Sequence, residues 1–160
     1  MPDDSTAQTF APLLEKSIEI DASPAQVWSL VTDVKRMTSW SPQVVRSSIR
    51  GGDLGLGTKF TNINRQGPVF WPTTAKVVRF EPHQDFAFRI NENNTIWSFA
   101  LEPTPAGGTR VTQRRETPNG ISPVSMRMTR LALGGQTRFT ARLKDGMTQT
   151  LARIKAEAEA

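Results

Sequence analysis

The chain has 160 residues, 37% of them hydrophobic, enough to bury one substantial core, and a formal charge of +5. No stretch approaches the ~20 apolar residues of a membrane span. The absence of cysteine excludes disulfides, thiolate metal sites and cysteine nucleophiles, and is compatible with a reducing, cytoplasmic setting.

Residues 1–11 have neither a basic start nor an apolar run, and are expected to form a disordered tail rather than a signal peptide. Residues 12–160 are expected to form a single domain. Leu13 to Ile20 alternates like a strand, with Leu14, Ile18 and Ile20 on one parity. Ser23 and Pro24 then mark a helix start as N-cap and first helical residue, with Val27, Trp28 and Val31 facing inward. A second helical turn is expected over Val34 to Thr38, capped by Asp33 and ending before Trp40-Ser41-Pro42. Six strands follow: Gln43–Arg50, Thr58–Arg65, Phe70–Phe80, Phe86–Asn91, Thr95–Leu101 and Thr109–Glu116, separated by turns rich in Gly, Pro and Asn. Ser125 to Leu133 is expected to be a short helix, and 122–135 a gate hinged at Gly134-Gly135. Gln136 to Ala160 has helical periodicity, with Phe139, Leu143, Met147, Thr150, Leu151 and Ile154 on one stripe. One long amphipathic helix must cover an antiparallel sheet, which makes the fold class α+β.

This order is carried by specific residues: Ile20-Asp-Ala-Ser-Pro-Ala-Gln-Val-Trp28, Thr32-Asp33, Trp40-Ser-Pro42, the glycine turn Gly55-Leu-Gly57, Trp71, Phe80-Glu-Pro82, Phe86-Ala-Phe88, Trp97 and Gly107-Gly-Thr-Arg-Val-Thr112. With them the chain resembles the START-like or Bet v 1-like superfamily, in the polyketide cyclase/dehydrase (SRPBCC) group, from about Leu13 to Ala156. The resemblance implies a helix-grip fold: a seven-stranded curved antiparallel sheet wrapped around a long C-terminal helix, with two short helices between strands 1 and 2. It also implies an internal cavity. The superfamily holds lipid carriers, hormone receptors and aromatase/cyclases, so fold alone does not assign an activity.

Strand parity selects what the inner face presents. It puts Val45, Ser47 and Ile49 inward, then Phe60, Asn62 and Asn64, then Trp71, Thr73, Ala75 and Val77. Phe86, Phe88 and Ile90 follow, with Trp97, Phe99 and Leu101, and finally Val111, Gln113 and Arg115. Lys59, Lys76, Arg89 and Arg110 fall outward. The expected ligand-cavity set is Trp40, Ser47, Phe60, Asn62, Asn64, Trp71, Thr73, Phe88, Trp97, Phe99, Gln113, Arg115, Phe139, Leu143 and Met147. Each aromatic taken singly reads first as core. Buried Asn and Arg must pair, meet water or face a ligand. Arg115, near its strand's end, either reaches solvent or anchors a carboxylate or enolate from inside. Trp40 is expected to pack at the cavity mouth.

The lone histidine, His83, sits in the turn Glu81-Pro-His-Gln-Asp85 with no group spaced to orient it, and is expected to be dispensable. No metal or cofactor is expected, since carboxylates are scattered and no phosphate loop or nucleophile elbow appears. Arg110, Arg114, Arg115, Arg127 and Arg130 thicken one region, yet no nucleic-acid motif accompanies them, and nucleic acid is not an expected partner. The expected function is binding or transport of a lipid-like or polycyclic metabolite. An aromatase/cyclase or dehydratase acting in the same cavity is the alternative, and an interaction module filled by its own side chains is a third. Monomer and homodimer are both open.

Overall fold

The computed structural model describes residues 13–49, 51, 53–117 and 136–160, the first five of the last stretch by backbone alone. The expected tail, the short helix over 125–133 with its gate, and the side chain of Phe139 lie outside the described residues.

Seven strands form one antiparallel sheet: β1 (Leu13–Ile20), β2 (Val44–Ile49), β3 (Lys59–Gln66), β4 (Val69–Glu81), β5 (Asp85–Ile90), β6 (Ile96–Pro103) and β7 (Thr109–Glu116). Their order is β1-β7-β6-β5-β4-β3-β2. Every neighbour from β2 to β7 is also next in sequence, the economical solution for short turns. β1 instead pairs with β7, and the chain crosses to the opposite edge through α1 (Pro24–Val31), a 3-10 turn (Val34–Arg36) and α2 (Met37–Trp40).

α1 starts as its sequence dictates. The Ser23 hydroxyl accepts from the Gln26 N–H, the Gln26 side chain accepts from the Ser23 N–H, and Pro24 occupies the first turn. The next turn departs from expectation twice. Asp33 makes no capping bond through its side chain, and the helical stretch runs on to include Trp40. Trp40 is buried in the main core, where that extra turn delivers it.

α3 (Gln136–Ala158) lies against β1, α1 and α2. Leu143, Met147, Thr150, Leu151 and Ile154 are all buried on one stripe, as the periodicity requires. Leu143 and Met147 pack with Leu14 of edge strand β1 and with Trp97. A methyl added at Gly146 would touch Pro42, which leads into the other edge strand (3.6 Å). The helix thus touches chain at both edges of the sheet.

Strand parity holds on β3 to β7 and breaks on β2. A bulge between Val44 and Arg46 turns Val44 into the core and leaves Val45, the expected inward residue, 45% exposed. An extra residue on one strand flips the faces locally, and no sequence signal announced it. Register recovers at Ser47, which stands opposite Asn62. A second irregularity, at Val77 to Arg79 in β4, keeps Phe80 opposite Phe86.

Candidate functional site

Rows of inner-face side chains cross the sheet. Leu14, Arg115, Trp97, Phe88 and Val77 stand opposite one another from β1 to β4. One step along, Gln113 stands opposite Phe99, which faces Phe86. On the other half of the sheet, Ser47, Asn62 and Thr73 share a row beside Asn64 and Trp71.

The aromatic members pack mainly on one another. Phe60 meets Phe88 edge-on at 5.1 Å between centroids, and Phe86 lies 5.7 Å from Phe88. These rings, with Phe99, belong to the main core. Trp97 is only half-buried and touches both that core and the Leu14–Leu143–Met147 cluster. Trp71 is also half-buried.

The polar residues divide into two groups with different chemistry. On β2 to β4 they satisfy each other. Ser47 Oγ donates to Asn62 Oδ1 (2.6 Å), and Asn62 Nδ2 reaches Met37 Sδ (3.6 Å). Asn64 Nδ2 donates to Thr73 Oγ1 (2.9 Å) and to the Trp71 carbonyl (3.2 Å). These bonds account for burying two asparagines, whose desolvation would otherwise be costly.

On β7 the pattern differs. Gln113 is 6% exposed, and its side-chain oxygen has no hydrogen-bond partner among the described residues. Two residues on, Arg115 is 1% exposed rather than reaching solvent from the strand's end. Its row explains this, since Leu14 and Trp97 flank it and themselves pack with Leu143 and Met147 of α3. Burial pushes the Arg115 guanidinium pKa down to about 10, which still leaves it charged at neutral pH. Arg114 points the other way, to Glu15 (2.7 Å).

In the sheet, β4, β5 and β6 lie between Asn64 on β3 and the Gln113–Arg115 pair on β7. Sequence parity also missed buried polar groups such as Ser98, Thr109 and Thr112, which carry no apolar signal. His83 is exposed in its turn at φ 67°, edge-on to Trp28 at 6.3 Å. Among the described residues no cluster of His, Asp or Glu is arranged to hold a metal. No described helix is long and apolar enough to cross a membrane.

No curated protein matches the chain by sequence. Its fold is shared with solved structures. The Zhui aromatase/cyclase of a Streptomyces species is 14% identical with a TM-score of 0.71, over 92% of this chain and 93% of that one. A polyketide-cyclase-like protein of Corynebacterium glutamicum is 24% identical with a TM-score of 0.62, over 97% and 91%. The Aha1 dimer of Colwellia psychrerythraea is 18% identical with a TM-score of 0.61, over 92% and 96%. Residues 12–159 match the family described as polyketide cyclase / dehydrase and lipid transport, and the chain belongs to that family.

Proposed function

We propose that the protein binds a mostly apolar small molecule, lipid-like or polycyclic, between the inner face of the sheet and α3. The observation that carries this reading is the Gln113 side-chain oxygen, buried without a partner among the described residues and set beside Phe99 and Trp97. A buried acceptor left open costs free energy in the empty protein, and a ligand hydroxyl would recover it. Apolar walls with one or two placed polar groups are the usual make-up of such a site. The family's description, which includes lipid transport, supports the same reading. The ligand contacts we assign are Trp97, Phe99, Gln113, Leu143 and Met147, while Phe60 and Phe88 serve mainly as core. The setting we assign is cytoplasmic, and a dimer is open because a structural relative forms one.

A second reading, aromatase/cyclase chemistry, is favoured by the charged Arg115 two residues from Gln113 and by the likeness to Zhui. In that case Arg115 would hold a developing enolate, and the shaped cavity would do the rest by positioning.

Native mass spectrometry of protein purified from its own host tests both. A co-purifying apolar metabolite whose retention falls about two- to ten-fold in Gln113→Leu supports the binding reading, the range of one neutral hydrogen bond. Conversion of a linear poly-β-ketone thioester to a ring, abolished in Arg115→Met, supports the second. A host-purified protein that carries no metabolite and takes up no apolar probe refutes the first reading.

A further inference from the structure

The outer face of the sheet treats its charges in two opposite ways. At the β1–β7 end cations are neutralised. Arg110 pairs with Glu19 (2.9 Å) and Arg114 with Glu15 (2.7 Å), and on β4 Arg79 is likewise held, by Asp85 (2.8 Å) and Glu116 (3.3 Å). One row across β3, β4 and β5 differs among the described residues. Lys59 on β3 stands directly opposite Lys76 on β4, and Lys76 directly opposite Arg89 on β5. All three are exposed, and no hydrogen bond or ion pair holds their side chains among the described residues. Like charges directly opposed across strands destabilise a sheet. Of the carboxylates on these strands and turns, Asp85 is engaged by Arg79, Glu81 lies at the far end of β4, and Asp53 is exposed in the turn before β3. Glu92 accepts from the backbone N–H and hydroxyl of Thr74 (2.8 and 2.7 Å).

The same face continues with Arg46 opposite Ile63, Ile63 opposite Pro72, and Arg65 opposite Phe70. Phe70 is 56% exposed under the Arg65 guanidinium (5.3 Å), and Leu56, in the turn before β3, is 72% exposed. Cations interleaved with exposed apolar side chains fit a surface that is anionic outside and apolar just beneath.

We propose that the outer face of β2 to β5 docks on an anionic lipid bilayer, with Lys59, Lys76, Arg89, Arg46 and Arg65 at the phosphates and Phe70 entering the interface. A bilayer matches this surface better than an acidic protein or a nucleic acid. No hydrogen bond or ion pair holds the lysines among the described residues, which suits mobile headgroups, and a polyanion has no use for an exposed Phe70. This inference stands on the outer face and does not depend on what the inner face binds.

Co-sedimentation of the full chain with vesicles of two parts phosphatidylcholine to one part phosphatidylserine tests it. The parent should bind these vesicles and not pure phosphatidylcholine, and should release them as salt rises. The triple variant Lys59→Gln/Lys76→Gln/Arg89→Gln should fold, because it removes repulsion, and should lose affinity on the order of a hundred-fold. Phe70→Ala should weaken vesicle binding, whereas Arg110→Gln on the paired end should not. Absence of binding at low salt, or binding indifferent to the triple variant, overturns the proposal. So does polyglutamate or duplex DNA binding as tight as vesicle binding and insensitive to Phe70→Ala.

Discussion

Gln113 and Arg115 share one strand and one face, yet they are buried on different terms. The Gln113 oxygen is a desolvated acceptor, so replacing the side chain with Met, of similar length and without the oxygen, removes a polar group that has no partner among the described residues. Gln113→Met should stabilise the ligand-free protein by about 1 kcal/mol while weakening ligand retention, read by urea titration and native mass spectrometry. Improved stability with unchanged retention would assign Gln113 to the core alone. Arg115 remains charged, and its pH signature follows from the sign of its shift. Its folded pKa of about 10 lies below the ordinary arginine range, because burial disfavours the charged form. Above about 10 this group is protonated more in the unfolded chain than in the folded one, so the stability it contributes rises with pH there. The stability difference between the parent and Arg115→Met should be flat from about pH 6 to about pH 9. It should move in the parent's favour only as pH passes 10. Urea titrations of both proteins across that range check it, and a change centred near neutrality would mean that another group titrates against Arg115.

Two contacts hold the elements together and can be probed one at a time. Leu143 is buried on α3 against Leu14 and Met147, with Trp97 alongside. Leu143→Ala should cost ~2–5 kcal/mol, because the removed carbons leave a gap in a packed cluster. A loss below about 0.5 kcal/mol in denaturant titration would show that this face of the helix is not packed as described. At the β6–β7 turn, Gly108 passes so close to β1 that an added Cβ would lie 2.5 Å from the Ile20 carbonyl oxygen. Neither backbone can yield cheaply, since Thr109 opposite Ile20 is part of the β1–β7 ladder and its hydroxyl donates to the Ala22 carbonyl (2.7 Å). Gly108→Ala should destabilise by about 1–3 kcal/mol, seen as a lower urea midpoint with an unchanged slope.

At the scale of the whole molecule, charge is segregated rather than merely positive. The net +5 resides partly in the row of Lys59, Lys76 and Arg89, which no ion pair neutralises among the described residues, so the opposed cations carry a repulsion that salt should screen. Lys76→Thr, which replaces the middle cation with a good strand former, should raise stability by about 0.5 kcal/mol at low salt and by less at high salt. Thermal melts at two ionic strengths check this, and an equal effect at both would attribute the gain to propensity instead of charge.

What the sequence determined by itself was whatever depends on neighbours along the chain. The capping box at Ser23 and Gln26, the alternation in Phe86 to Ile90, and the stripe from Leu143 to Ile154 are local patterns, and each was legible because a helix or strand repeats its geometry every few residues. What depends on pairing was not legible. The bulge that exchanged Val44 for Val45 is a mismatch between two strands, and neither strand's own sequence contains it. Parity placed Asn62, Asn64, Gln113 and Arg115 inward, but only the tertiary hydrogen bonds separate the satisfied asparagines from Gln113, whose side-chain oxygen has no partner among the described residues. Parity also placed Lys59, Lys76 and Arg89 outward as three unconnected cations. Their meeting in one row is a fact of register, which is decided by the whole sheet burying its other face.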